Sequence, residues 1–359
     1  MKRTKGFTII ELLLVMLIMG FVLTAGSSMF VGLLRGYKQQ SKIAETNIEG
    51  IIGLEILRRD IDSAGYGLPW NMSGASYSEA TGANAAAYND SASNAPRAIL
   101  SGFDATGRAY LVIKATNVGG NNTCTKWANL PSSGSPTPWT STNSASDNLT
   151  SSDRVIVISP GTPVTNSRAL VISSVTGTSF AQFSNLSSFS SPNETRIVYG
   201  VSPTGLRMPF NRADYYVGTS NLPERCASGT GVLYKAIVSQ SDGSFPPDNI
   251  LPLLDCVADM QVVTYLDTNG DGTWDTKSNG LGGVNAVDAN TVRSQLKEVR
   301  VYILAHEGQR DTSYTHPSSS MLVGESSTLG RTFDLTTIPD WQYYRWKVYT
   351  LVVMPSNLM

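Results

Sequence analysis

Charge is scarce in this chain. Asp, Glu, Lys and Arg make up 15% of its 359 residues and nearly cancel, at a formal net charge of -1. Soluble domains usually carry about 25%. With no basic excess, nucleic acid is not an expected partner. Histidine is rarer still. His306 and His316 are the only two, too few for a histidine-rich metal centre. The three cysteines, Cys124, Cys226 and Cys256, have no C-x-x-C spacing, which argues against a zinc knuckle or a thioredoxin-like motif. The chain also lacks a G-x-S-x-G elbow, a P-loop and an H-E-x-x-H helix. Gly229-x-Gly231 lacks the third glycine and the helical context of a dinucleotide loop. No enzyme activity is expected. Ser, Thr, Asn and Gly fill the gap, and a polar, weakly charged surface suits an extracytoplasmic protein.

Proline is missing before Pro69, so nothing there forbids a long helix. The first six residues carry three positive charges, on Lys2, Arg3 and Lys5. Phe7 to Leu34 is almost wholly apolar, and Glu11 is its single charge. As a helix this run is about 42 Å long, enough to cross a hydrocarbon core of about 30 Å. The basic leader should stay cytoplasmic and send the rest of the chain outward. A secretory signal cut near Thr24-Ala25-Gly26 fits less well, because the apolar run is too long and Leu23 is poor where a small residue is wanted. A plain signal anchor leaves Glu11 unexplained. A carboxylate in an apolar membrane segment costs about 2–3 kcal/mol and should have a partner.

Gly6-Phe7-Thr8-Ile9-Ile10-Glu11 resembles the cleavage and methylation motif of type IV prepilins and pseudopilins. The resemblance implies a cut by prepilin peptidase between Gly6 and Phe7, and N-methylation of Phe7. The new charged amine of Phe7 would then meet Glu11 of a neighbouring subunit, each offsetting the other's desolvation. Leu57 to Gly67 is similar to the region after the spine in PilW-type minor pilins. So are the segments around Cys226 and Cys256, and Tyr344 to Val353. The implied partners are the peptidase, other major and minor pilins, an inner-membrane assembly platform and, before assembly, membrane lipid. The implied location is the bacterial inner membrane with a periplasmic head, then the pilus surface. The N-terminus fits a pseudopilin of a type II secretion system equally, and a calcium-dependent adhesive head on a fibre is a third reading.

The expected fold is α+β and pilin-like: one long N-terminal helix packed on a mainly antiparallel β head. Residues 1–6 read as a leader, 7–34 as the transmembrane and fibre-core helix, 35–66 as an amphipathic spine, and 67–359 as the head. Ile48, Ile51, Ile52, Leu54, Leu57 and Ile61 recur at helical steps along the spine. Ser63 to Pro69 ends the helix, with glycines suited to the C-cap and a proline beyond. Residues 71 to about 150 read as a loop-rich Ser/Asn/Gly insertion. Runs such as Asp153–Ile158, Ala169–Ile172, Arg196–Tyr199, Asp214–Val217, Val232–Ala236, Met260–Leu266, Lys297–Leu304 and Trp346–Val353 read as strands.

Two further features concern the head. In a periplasm disulfides persist, and Cys226 and Cys256, flanking a candidate strand, are the expected pair. Cys124 either stays free or replaces one of them. Asp267, Asn269 and Asp271 stand at the first, third and fifth places of an EF-hand-like loop, with Gly272 at the sixth. Thr273 could add its carbonyl and Asp275 a carboxylate, which makes calcium the candidate cofactor. Ser278 stands where the bidentate glutamate belongs, so another acid such as Asp288 would have to complete the shell. The competing reading is a bare hairpin turn, since Asn269-Gly270 and Asp271-Gly272 are both strong turn dipeptides.

Overall fold

The computed structural model describes residues 6, 8–138, 147–161, 168–280 and 287–358, without the side chains at 35, 39, 45–47 and 49. Helix α1 runs Ile9–Asp62, 54 residues, about 80 Å at the usual rise. Two short helices follow, α2 (Ala83–Ala86) and α3 (Ala289–Gln295). The rest is α+β with a mainly antiparallel sheet architecture, as expected. In chain order the first strands are β1 (Ile99–Phe103), β2 (Ala109–Ala115), β3 (Trp127–Leu130), β4 (Thr137–Pro138), β5 (Arg154–Ser159) and β6 (Ala169–Leu170). Next come β7 (Ala181–Gln182), β8 (Arg196–Ser202), β9 (Asn211–Gly218), β10 (Gly231–Ile237) and β11 (Ile250–Leu266). The last are β12 (Thr276–Asn279), β13 (Leu296–Glu307), β14 (Ser320–Gly324), β15 (Gly330–Asp334) and β16 (Arg345–Val353).

The main sheet has the order β1-β2-β9-β10-β11-β13-β16, with β12 also paired to β11. A second sheet runs β4-β3-β8-β5-β6, with β7 on β5, and β14-β15 form a separate hairpin. The alternation of a strand explains how the second sheet serves two cores. Ile156 and Ile158 of β5 join the core of the main sheet, while Val155 and Val157 join a smaller one with Leu130, Val198 and Phe189.

Helix α1 packs on β11, β13 and β16. Its contact stripe is Gly50, Gly53, Leu54, Leu57, Asp60 and Ile61, all buried. Gly53 is required by close approach: a Cβ there would lie 1.9 Å from the Leu253 carbonyl oxygen. Ile48, Ile51 and Ile52, which the spacing assigns to the same stripe, point the other way and are 60–66% exposed. The glycines decide this, because they let one face of the helix sit against the backbone of β11. Asp60 then fixes the joint. Its carboxylate accepts from the Tyr215 hydroxyl and pairs with Lys235 at 2.5 Å. The helix ends as its sequence suggests. Gly65 has φ +84°, and Ser356 donates to the Asp62 carbonyl beyond the last turn.

The Ser/Asn/Gly segment is less of an insertion than its composition implies. It supplies β1 and β2 of the main sheet, and also four members of a buried charge network, Glu79, Asp90, Arg97 and Lys114. Glu79 pairs with Lys114 at 2.7 Å and Arg212 at 2.8 Å. Asp90 pairs with Lys114 at 2.7 Å and Arg97 at 2.5 Å, and Arg212 turns to Asp214 at 2.7 Å. Loops that enter a core this way must bring charge in matched sets, because an unpaired buried charge is costly.

Candidate assembly and binding sites

The N-terminal motif is organised by a capping box. Thr8 is the N-cap of α1 and Glu11 its third residue. The Thr8 backbone N–H donates to Glu11 Oε2 at 2.8 Å, and the Thr8 hydroxyl donates to the same oxygen at 2.9 Å. The Glu11 N–H donates back to Thr8 Oγ1 at 3.3 Å. A carboxylate at a helix N-terminus also complements the helix dipole. So within one chain Glu11 has a partner that the sequence reading did not identify: Thr8. Gly6 is exposed. Phe7 and residues 1–5 lie outside the described residues. Helix α1 is long and apolar enough over Ile9–Ala44 to cross a membrane, and its most apolar 18 residues have mean hydropathy 2.5 and are not buried against protein.

The structure joins Cys226, in the turn before β10, to Cys256 in the middle of β11. Cys256 sits at a bulge, with φ +59°, where the register of β11 against β10 shifts. Neighbours reinforce the stitch. Arg225 pairs with Asp255 at 2.7 Å, and the Ala227 N–H donates to His306 Nε2 at 2.9 Å. Burial pushes the His306 imidazolium down to a pKa of about 3. Cys124 is free and buried, and burial raises its thiol above the usual range.

Asp267 to Asp275 forms the turn between β11 and β12. Asp267 is buried at its mouth and accepts from Gly270, Asp271 and Gly272 N–H groups at 2.7, 3.2 and 2.9 Å. Asn269 Oδ1 accepts from the Asp271 N–H, and Asp271 Oδ1 accepts from the Thr273 N–H. Asp275 folds back onto the N–H groups of Thr268 and Asn269. The Thr273 hydroxyl, with its N–H, holds the Asp271 carboxyl below its ordinary range, and the Thr268 and Thr276 hydroxyls, ahead of the backbone bonds, bring Asp275 to about 2. The Lys297 ammonium stands 3.5 Å from Asp267 Oδ2. Oxygens at the first, third and fifth places therefore curl round one loop, which fits a hard cation in part. The far side does not fit as well. Ser278 is paired in β12 opposite Thr264, and Asp288 caps α3 by accepting from the Thr291 N–H.

The buried charge network is the constellation that sequence reading missed. Its signal was present in Lys114, a lone cation in the otherwise apolar strand 109–115, and in Arg212 and Asp214, spaced to share one face of β9. Their partners Glu79 and Asp90 lie in a polar stretch where no periodicity marks them.

Residues 1–27 match the prokaryotic N-terminal methylation motif. No curated protein and no solved structure matches the chain. The motif supports a type IV prepilin-like chain, processed by prepilin peptidase and anchored in a membrane before assembly.

Proposed function

We propose that this chain is a minor pilin of a type IV pilus, PilW-like, cut after Gly6 and methylated at Phe7. It would act at assembly initiation or at the tip, in a structural and not a catalytic role. The observation that carries this reading is the head. A methylation-motif helix here bears two sheets, a hairpin and a polar segment tied in by buried charge. Such bulk is hard to repeat along a shaft and is accommodated at an end. The periplasm is the compartment that suits the Cys226–Cys256 bond. On this reading the Phe7 amine of one subunit takes over Glu11 of its neighbour from Thr8. Deletion of the gene, with pili and secretion scored separately, is the test. Loss of pili with secretion intact is expected. Loss of secretion with pili intact would overturn the reading in favour of a type II pseudopilin. Mass spectrometry should find N-methylated Phe7 at the mature end, and an intact Met1 would defeat processing altogether.

Calcium at the Asp267 loop is a second proposal. It is supported by the convergence of Asp267, Asn269 and Asp271, with Thr273 and Asp275 at the rim. The cation would supply the charge that Lys297 now supplies in part. Affinity should be modest, because the loop is already satisfied by its own N–H groups. A calcium-dependent rise in melting temperature, lost in Asp267→Ala with Asp271→Ala, is the expected result. No rise in the parent protein would remove the claim.

A further inference from the structure

One face of the head lies level with the point where α1 leaves the apolar zone. The loop 309–313 and Arg345 form a cavity of about 720 Å³ with α1 between Gly32 and Ile43. Ile9 to Gly32 spans about 35 Å of helix, and a hydrocarbon core is about 30 Å thick. If the membrane takes the first of these turns, the loop stands at the headgroup layer.

The residues there have the chemistry of that layer. Arg310 stacks over the Tyr343 ring at 4.9 Å and pairs with Asp340 at 3.1 Å, both acid and base about half exposed. Arg345 stacks over Tyr314 at 4.2 Å and pairs with Asp311 at 2.9 Å. Trp341 is part-exposed beside them, and Lys38 of α1 is exposed across the cavity. Backbone bonds lock the two segments together: the Asp311 N–H donates to the Tyr343 carbonyl at 2.9 Å, and the His316 N–H donates to the Gln342 carbonyl at 2.7 Å. Trp and Tyr with apolar bodies and polar tips, interleaved with Arg and Lys, are the side chains enriched where a bilayer meets water.

We infer that this face rests on the bilayer surface while the chain awaits assembly, with Lys38, Arg310 and Arg345 against anionic phospholipid headgroups and Tyr314, Trp341 and Tyr343 beside them. The occupant is lipid because the face continues the membrane-crossing helix and because its cations outnumber its acids, Lys38, Arg310 and Arg345 against Asp311 and Asp340. The inference rests on membrane anchoring by α1, and it adds that the head is held down on one specific side. Extraction into a fibre would then have to break this contact.

The test uses the full chain in lipid nanodiscs and reads hydrogen exchange of the amides at 309–316 and 340–344. In discs of phosphatidylethanolamine and phosphatidylglycerol these amides should exchange at least about fivefold more slowly than in phosphatidylcholine discs or in detergent. Raising the salt should remove most of that difference. Lys38→Gln with Arg310→Gln should remove it too, at an unchanged melting temperature. Equal exchange in all three environments, or protection that survives both the salt and the double variant, would overturn the inference. Failure of the chain to enter discs at all would instead overturn the anchoring on which it rests.

Discussion

The two ends of α1 obey the same helical geometry and live in different solvents. From Ile9 to Leu34 the helix shows apolar side chains nearly all round, broken by Glu11, and they are exposed rather than covered by the head. From Gly50 to Asp62 one stripe is buried to the backbone and the opposite side carries Ile51, Ile52 and the exposed Glu55–Arg58 pair. Apolar content is therefore a poor guide to packing along this helix. What separates the halves is glycine placed against β11 and a single buried acid, Asp60. The lower half depends on lipid or on other helices, and the upper half depends on the head.

Asp60→Ala attacks that dependence most strongly. It removes the acceptor of the Tyr215 hydroxyl and leaves Lys235 in a largely buried site without its 2.5 Å partner. A loss of about 3–5 kcal/mol is expected, because breaking a buried pair strands the other charge. Urea unfolding of the purified protein measures it, and a loss below about 1 kcal/mol would show that Asp60 does not fix the joint. The disulfide stands next in size. It closes 30 residues of chain beside the place where α1 meets β11. Removing it as Cys226→Ser with Cys256→Ser should cost about 3–4 kcal/mol by the loop-entropy model. The same unfolding experiment reads the change.

How much of this was legible beforehand differs along the chain for physical reasons. The span and end of α1 were legible, since a long apolar run and the Ser63 to Pro69 breaker both act locally. So were β5, β10, β13 and β16, which carry branched apolar residues, and the Tyr215–Val217 part of β9. The orientation of the spine was not, because Ile48, Ile51 and Ile52 look as apolar as Leu54 and Leu57. Only the approach of Leu253 to Gly53 breaks the tie, and that contact is 200 residues away in sequence. The division into two sheets was hidden for a related reason: in β5 both alternating faces are apolar, so pattern alone cannot say there are two cores. Glu79 and Asp90 were hidden among polar neighbours. The turn at Asp267 was visible as a motif, but its self-satisfaction by N–H groups and Lys297 depends on the folded loop.

Acidity offers a medium-sized probe of the head side. His306 is buried against Tyr344 and Trp346, and its pKa falls from an ordinary 6.5 to about 3. In the unfolded chain the ring takes a proton below about pH 6.5, while the folded chain refuses it until about pH 3. The group therefore costs no stability at neutral pH. It costs up to about 1.4 kcal/mol for each pH unit through that window as the pH falls. Midpoints of urea unfolding at a series of pH values, compared with those of His306→Gln, isolate this group from the carboxylates. Parallel curves for the two proteins would show that His306 is not held neutral.

The smallest expected effect belongs to the lower half of α1, and set beside its counterpart in the upper half it tests the comparison most directly. Leu57→Ala and Leu17→Ala delete the same atoms from the same helix. Leu57 is fully buried and lies in the main core, whereas Leu17 is 59% exposed to surroundings that are not protein. The first should cost the head about 2–5 kcal/mol, since it combines lost burial with a cavity. The second should change head stability by no more than about 0.5 kcal/mol, because it touches nothing the head is made of. Unfolding in detergent, followed by tryptophan fluorescence, reports the head in both, as Trp127, Trp341 and Trp346 all sit there. If Leu17→Ala destabilised the head as Leu57→Ala does, the two halves of α1 would be energetically one element. If it does not, the lower half answers only to the membrane and to whatever helices replace it in a fibre.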